Sequence, residues 1–260
     1  MNGPALAAML LLAPVLGSAA SEARGAAGPA SGAAPSAFQE ANRLYEESRF
    51  EAAVEAYRRL LEADPDDPAL AYNLGNAYFR LSAPGSLGQA ILFYERAFAL
   101  SPRDADLHHN LDFALRRAGE TLIPPGTPPA LFVLFHMLSA AELAAFHWVG
   151  FWATMLLGSA FLLREASRDR LRPWLTAAVC GWLFAAAWWG ARAATGIPSP
   201  GVIVSDSEAR SGPGENFPVN FKVPEGRRVS RLDTRSGWVE IGVLKEGVKG
   251  WVSSTSVEAF

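Results

Sequence analysis

The sequence predicts a multidomain chain with an all-α helical solenoid, a two-helix transmembrane hairpin and a small all-β barrel. Three observations indicate this order. A helical pattern repeats within residues 36–120, and two uncharged apolar runs follow between residues 140 and 194. Residues 197–260 then alternate apolar and polar side chains between turn residues. Each zone is long enough for a small domain or a membrane-crossing element.

Residues 1–20 have the features of a signal peptide. An apolar run at residues 5–16 is followed by a Gly-Ser-Ala-Ala stretch, which is typical of a signal-peptidase cleavage site. Because the segment before the run holds no Lys or Arg, an uncleaved membrane anchor is the alternative. Residues 21–35 are rich in Ala, Gly and Pro and are expected to form a flexible leader.

Residues 36–120 contain an internal repeat. A pattern of a large apolar residue, Ala and Tyr occurs twice at a spacing of 37, as Phe50, Ala53 and Tyr57 and as Leu87, Ala90 and Tyr94. Asn42 recurs as Asn76 at a spacing of 34, and the three extra residues fall in the turn at 82–85. A base period of 34 is that of tetratricopeptide (TPR) repeats. The segment resembles TPR proteins, with two repeats and a third helix that caps the stack.

The TPR resemblance implies a groove, lined by the first helix of each repeat, that binds peptides. The side chains expected in it are Asn42, Tyr45, Asn73, Asn76, Arg80 and Asn110. Some TPR proteins clamp a carboxylate with basic residues, and the matching positions here are not basic. Residues 36–120 carry 14 acidic and 9 basic side chains, so we expect no clamp for an acidic tail. Alternatively, the asparagines only bond neighbouring backbone.

Residues 140–163 and 174–194 are predicted to span a membrane. Residues 143–163 hold no charged side chain, and this length suffices to cross about 30 Å of hydrocarbon. Ser139 and Glu142 have the spacing of a capping box, which predicts a helix start near residue 140. The alternative to the capping box is that Glu142 is a carboxylate inside the membrane. Residues 131–138 are expected to form a short interfacial helix.

The predicted loop at residues 164–173 gives the hairpin a direction. It holds four arginines, whereas the other flanks of the two spans hold far fewer basic residues. The positive-inside rule places this loop in the cytoplasm. The repeats and the C-terminal module are therefore expected on the periplasmic side of a bacterial inner membrane, in agreement with a secretory signal.

Residues 197–260 are predicted to form a small barrel of five short strands, four of which are expected at 202–204, 228–232, 238–243 and 250–252. The segment resembles bacterial SH3 (SH3b) domains through four runs in order, at 209–213 (Ala-Arg-Ser-Gly-Pro), 224–226 (Pro-Glu-Gly), 237–241 (Gly-Trp-Val-Glu-Ile) and 247–252 (Gly-Val-Lys-Gly-Trp-Val). The expected surface aromatics are Phe217, Phe221, Trp238 and Trp251. The alternative for Trp238 and Trp251 is burial in the barrel core.

In this order the segments resemble the BatE-type TPR/SH3 membrane proteins of bacterial aerotolerance operons. The resemblance implies a non-enzymatic membrane scaffold. Its implied partners are von Willebrand A-domain membrane proteins and other Bat-type components. The alternative function is a cell-wall anchor that binds peptidoglycan peptides through the SH3b domain.

Several function classes are not expected. The net charge of −3 gives no basic field for nucleic acid. Cys180 is the only cysteine, which excludes an internal disulfide and a cysteine-based metal cage. The sequence holds no phosphate-binding glycine loop and no nucleophile motif, so we expect no enzyme and no cofactor. His136 and His147, eleven residues apart, are interpreted as packing residues rather than metal or heme ligands.

Overall fold

The computed structural model describes residues 36–243 and 246–260. The predicted signal peptide and leader lie outside the described residues. Five helices that pack one on the next form a repeat module, and they are α1 (Ala37–Glu46), α2 (Phe50–Ala63), α3 (Pro68–Leu81), α4 (Ser86–Leu100) and α5 (Ala105–Arg117). The predicted helical-repeat region is confirmed.

The helix starts follow from local capping signals. A capping box of Ser36 and Gln39 opens α1, and Asp67 and Asp104 accept hydrogen bonds from first-turn amides of α3 and α5. Helix α4 instead begins after Gly85, whose φ of +83° is favoured only for glycine. No side chain of its own segment caps α4, so its first amides need partners from elsewhere.

Small residues let the helices of the repeat module approach closely. Ala41, Ala53 and Ala90 are fully buried. A Cβ atom on Gly75 would lie 2.7 Å from the ring of Tyr94, so α3 and α4 meet where only glycine fits. The stacked helices thereby bury one continuous apolar core, which a single helical hairpin could not do.

Three further helices follow the repeat module: α6 (Pro129–His136), α7 (Ala140–Leu163) and α8 (Arg168–Thr195). The capping box of Ser139 and Glu142 opens α7. Among the described residues, the helices at 140–163 and 165–194 are long and apolar enough to cross a membrane. Their apolar stretches are almost entirely exposed, with 6% and 0% buried, unlike the core helices of a soluble domain.

The connection between α7 and α8 differs from the predicted loop at 164–173. Only a short 3₁₀ turn, Glu165–Ser167, separates the helices, and α8 already begins at Arg168. Pro173 lies inside α8. Proline has no amide hydrogen, so the carbonyl of Asp169 receives no helical hydrogen bond from Pro173. Asp169 is exposed, so water can satisfy this acceptor and the helix continues.

The C-terminal sheet module is one antiparallel sheet with the strand order β3-β2-β6-β5-β4-β1-β7. Its strands are β1 (Pro200–Ile203), β2 (Ser207–Arg210), β3 (Val219–Val223), β4 (Arg228–Arg235), β5 (Trp238–Val243), β6 (Val248–Ser253) and β7 (Val257–Ala259). The predicted small barrel is not closed, because β3 and β7 stand at opposite edges of the sheet and are not paired with each other in the described residues.

Strand β4 lies between β1 and β5. Its first half pairs with β1 and its second half with β5, and the register of the β4–β5 pair shifts between Arg231 and Asp233. Such an irregularity favours local bending of a strand. Alternate residues of β5, namely Val239, Ile241 and Val243, are buried in the core cluster of the sheet module.

The repeat module and the sheet module share a core. Val202 and Val204 belong to the same buried cluster as the apolar side chains of α1–α5. A Cβ atom on Gly88 of α4 would lie 2.5 Å from the carbonyl oxygen of Ile203. Helix α4 and strand β1 are therefore in backbone contact, and the two modules form one body.

Ion pairs cross this contact in a region that excludes water. Arg228 lies 3.2 Å from Glu95, and Arg227 lies 3.1 Å from Glu120. Both acidic residues are buried. Burial raises the pKa of the Glu95 carboxyl, while Arg228 acts in the opposite direction. Removing one partner would leave an uncompensated buried charge.

The sheet module also places an acidic side chain beside the start of α4. Burial raises the pKa of the Glu225 carboxyl, in the turn between β3 and β4, and the nearby amides of Gly85 and Gly88 act in the opposite direction. A carboxylate at a helix N-terminus is favoured by unpaired amides and by the helix dipole. The other module thus contributes negative charge at a helix start that has no side-chain cap.

Candidate functional site

The first helices of the repeats line a cavity of about 200 Å³. Helices α1, α3 and α5 supply six of its seven residues, and α4 supplies the seventh. The lining residues are Tyr45, Asn76, Phe79, Arg80, Tyr94, Asn110 and Phe113. Four of the seven lining residues are aromatic, and the polar groups are two amides, two phenols and one guanidinium.

A tyrosine–asparagine hydrogen bond recurs in both repeats. Tyr57 Oη donates to Asn42 Oδ1 at 2.6 Å, and Tyr94 Oη donates to Asn76 Oδ1 at 2.7 Å. Burial raises the pKa of Tyr57 to about 12 and that of Tyr94 further, so both phenols remain protonated donors. These asparagines tie the two helices of a repeat together through tyrosine side chains.

Asn110 extends this network across α3 and α5. Its Nδ2 donates to Asn76 Oδ1 at 3.0 Å and to Tyr72 Oη at 2.8 Å. Within residues 36–243 and 246–260, no group donates a hydrogen bond to Asn110 Oδ1. The side chain lines the cavity, so this oxygen can accept a hydrogen bond from a bound chain.

Arg80 is held by aromatic rings beside the cavity. Its Cζ lies 4.9 Å from the ring centroid of Phe50 and 6.0 Å from that of Tyr45, which are cation–π contacts. In the part of the chain that the structure describes, no carboxylate forms an ion pair with Arg80. No acidic residue lines the cavity, so it is locally positive although the repeat module is acidic overall.

Three aromatic lining residues were not among the predicted groove residues, namely Phe79, Tyr94 and Phe113. Phe79 and Phe113 make an edge-to-face contact with centroids 5.7 Å apart, and Phe113 is 50% exposed. Phe113 stands 37 residues after Asn76, at the same position of the next repeat. The repeat alignment could have identified it, but the predicted groove residues were mainly polar.

The structure brings together four of the six predicted groove residues, namely Tyr45, Asn76, Arg80 and Asn110. Asn42 and Asn73 do not line the cavity. For Asn42, Asn76 and Asn110 the observed partners are side chains rather than the neighbouring backbone of the alternative interpretation.

The two tryptophans of the sheet module lie outside its core cluster. Trp251 is buried, with Arg235 Cζ 5.7 Å from its ring centroid. Trp238, at the start of β5, is partly exposed. The alternative of burial therefore holds for Trp251 but not for Trp238.

The two phenylalanines of the sheet module have different surroundings. Phe221 packs against the core cluster. Phe217 is 43% exposed and covers Gly212, where a Cβ atom would lie 2.5 Å from its ring. The four predicted aromatics therefore divide between core contacts and separate surface positions.

The described residues contain no group of three or more His, Cys, Asp or Glu side chains placed to hold a metal. A ring nitrogen of His108 and one of His136 each lie within hydrogen-bond distance of a backbone carbonyl. His147 packs among tryptophan rings between α7 and α8.

The TPR repeat family matches residues 41–82 of this chain. This segment runs from α1 through α3 and holds four of the cavity residues, Tyr45, Asn76, Phe79 and Arg80. No curated protein matches the sequence. The match shows a TPR repeat at the cavity, and TPR repeats generally mediate protein–protein interactions.

Proposed function

We propose that this protein is a non-enzymatic, membrane-anchored scaffold that binds an extended segment of a partner protein in the cavity of the repeat module. The observation that carries the proposal is the aromatic-walled cavity lined by α1, α3 and α5, which coincides with the TPR match. Its size suits one or two side chains of an inserted segment, not a whole domain.

The chemistry of the lining indicates how such a segment binds. Phe79 and Phe113 form an apolar wall for an aliphatic or aromatic side chain. Asn110 Oδ1 accepts from a backbone amide of the segment, and Arg80 donates to a carbonyl or carboxylate oxygen. Backbone recognition beside one apolar pocket selects extended peptide rather than a small metabolite.

Helices α7 and α8 supply the proposed membrane anchor. Their apolar side chains are exposed along the helices, including Leu156, Leu163 and Phe184, and lipid would cover them. Four arginines lie between residues 164 and 172, which supports a cytoplasmic turn. Both modules then face the periplasm of a bacterial inner membrane.

The order of the modules supports a finer proposal. A TPR repeat, an apolar hairpin and a small antiparallel sheet fit the BatE-type architecture, with the sheet as an open variant of an SH3b domain. Two glycines of the SH3b-like runs stand in turns with positive φ, +81° at Gly226 and +82° at Gly237. Partners would then include von Willebrand A-domain membrane proteins.

A detergent pull-down from native membranes tests the proposal. The groove variant combines Arg80→Ala with Phe113→Ala, two side chains that are exposed and can be removed without opening the core. The control is Arg59→Ala, an exposed arginine on α2. We expect partner proteins with the unmodified chain and the control, and at least a tenfold loss with the groove variant, from about 1.4 kcal/mol or more of lost binding. Equal recovery with all three would refute groove binding.

A further inference from the structure

Helix α6 presents an apolar face that the other described residues, 36–243 and 246–260, leave uncovered. Its outward side chains are Ala130, Leu131, Val133, Leu134 and Met137, all exposed. Leu131 and Leu134 are 55% and 56% exposed. A surface helix in water carries polar residues on this side, and α6 carries none.

The opposite face of α6 is fixed to the repeat module. Phe132 is buried in the same cluster as the side chains of α1–α5. His136 stacks on it with ring centroids 4.2 Å apart and lies 6.0 Å from the ring of Phe98 in α4. The only polar side chain of the helix therefore points inward, and α6 moves with the repeats.

The C-terminal end of α6 is fixed to the hairpin. Trp188 Nε1 donates to the carbonyl of Phe135 at 3.2 Å, and Arg192 Nη1 donates to that of Leu138 at 2.6 Å. Both donors lie where the uncharged stretch of α8 ends. Tryptophan and arginine at such a position are typical of the membrane–water interface, and three residues separate α6 from the start of α7.

An ion pair also links the repeat module to the start of α7, next to the end of α6. Arg103, in the turn between α4 and α5, donates to both carboxylate oxygens of Glu142 in the first turn of α7, at 2.8 and 3.0 Å. It also donates to the carbonyl of Met137 at 3.2 Å. The α4–α5 end of the repeat module is thus attached to the end of the hairpin both through α6 and through Arg103.

We infer that α6 lies in the outer-leaflet boundary between lipid headgroups and acyl chains, and that it docks the repeat module on the bilayer surface. The inference rests on the proposed membrane crossing of α7 and α8. Lipid is the occupant because the exposed face is wholly apolar and lies beside the interfacial ends of both helices. The TPR cavity is consequently held at a fixed position above the membrane rather than on a free tether.

Fluorescence quenching in lipid vesicles tests this placement. In a Cys180→Ser background, single cysteines replace Leu134 on α6, Leu156 in the middle of α7, or Arg59 on α2, all of them exposed. Each is labelled with a small environment-sensitive dye. The full chain is reconstituted into phosphatidylcholine vesicles with nitroxide lipids, spin-labelled either near the headgroup or deep in the acyl chain. Val133→Cys gives a second position on the face of α6.

We expect dyes at positions 133 and 134 to emit at blue-shifted wavelengths and to be quenched at least twofold more by the shallow nitroxide than by the deep one. The dye at position 156 should show the reverse order, and the dye at position 59 neither effect. If the dyes at positions 133 and 134 emit like the dye at position 59, while the dye at position 156 is still quenched most by the deep nitroxide, the docking of α6 is overturned. The proposed membrane crossing would remain intact.

Two further outcomes would also overturn the inference. Blue-shifted emission at 133 and 134 without quenching by either lipid would mean that protein, from a second copy or a partner, covers α6. Loss of quenching at 156 as well would show that the hairpin does not cross the bilayer, and the proposed anchor would fail together with the docking.

Discussion

Tyr94 donates its hydroxyl hydrogen to Asn76 across 2.7 Å, from the second helix of a repeat to the first. Tyr57 makes the equivalent bond to Asn42 in the preceding repeat. The sequence repeat is therefore also a repeat of one hydrogen bond. Asn76 lines the cavity, so the same bond that joins the helices also fixes the floor of the proposed binding site.

Removing this hydroxyl should destabilise the fold. Tyr94→Phe removes one of the two donors to the Asn76 oxygen, which costs about 0.5–1.5 kcal/mol. The thermal unfolding midpoint in detergent should fall by several degrees. The control is Tyr45→Phe, because the hydroxyl of Tyr45 makes no hydrogen bond within the described residues. A midpoint for Tyr94→Phe equal to that of Tyr45→Phe would show that the bond contributes nothing.

The buried pair of Glu95 and Arg228 predicts a pH dependence. Burial raises the pKa of Glu95 above its ordinary value of 4.5, so the folded protein binds this proton more tightly than the unfolded chain does. That contribution to stability is complete below 4.5 and is lost as the pH rises through the folded pKa. Glu95→Gln cannot ionise and should show no such loss.

The measurement is the unfolding midpoint of both proteins between about pH 4 and about pH 8. Relative to the unmodified chain, Glu95→Gln should become more stable as the pH rises. Glu62→Gln, at an exposed position on α2, corrects for general effects of lost charge. A difference that is flat with pH, or that runs in the opposite direction, would contradict the raised pKa.

The backbone contact of α4 with β1 predicts that adding a side chain at Gly88 destabilises the protein. A Cβ atom on Gly88 would lie 2.5 Å from the carbonyl oxygen of Ile203, and the backbone there cannot yield like a flexible side chain. Gly88→Ala should cost about 1–3 kcal/mol and should increase hydrogen exchange in β1. Gly158→Ala is the control, because nothing lies within 4 Å of its Cβ position. Similar behaviour of the two variants would mean that the modules are not in contact.

Local signals in the sequence predicted the helical half of the fold well. The spacing of Ala53, Tyr57, Ala90 and Tyr94 revealed the repeat because close helix packing requires small and large residues at fixed positions. The capping box at Ser139 marked the start of α7. The second span was predicted from residue 174, where the uncharged run begins, whereas α8 already begins at Arg168 and includes charged residues in its first turns.

Other features depend on contacts that no local pattern encodes. The positions of β2, β3 and β7 were not predicted, since β2 and β3 each have a single buried residue and β7 is only three residues long. The approach of Glu225 to the start of α4 brings together positions far apart in sequence. Phe113 was not predicted because the groove residues expected from the sequence were mainly polar.

The direction of the hairpin predicts a labelling pattern in whole cells. In a Cys180→Ser background, a cysteine at Arg59 should react with a membrane-impermeant maleimide added to spheroplasts. A cysteine at Ser167, in the turn between α7 and α8, should react only after the membrane is permeabilised. The reverse pattern would place the repeats in the cytoplasm.

Site-specific photocrosslinking in intact membranes tests groove binding most directly. A benzophenone amino acid replaces Phe113, which is half exposed in the cavity wall, or Arg59 on α2 as the control. We predict that light produces adducts with a partner protein from position 113 and none from position 59, and that Arg80→Ala reduces the yield at 113 at least tenfold, from the loss of about 1.4 kcal/mol of binding. Equal yields at the two positions, or no protein adduct at 113, would contradict the proposal that this cavity binds a partner.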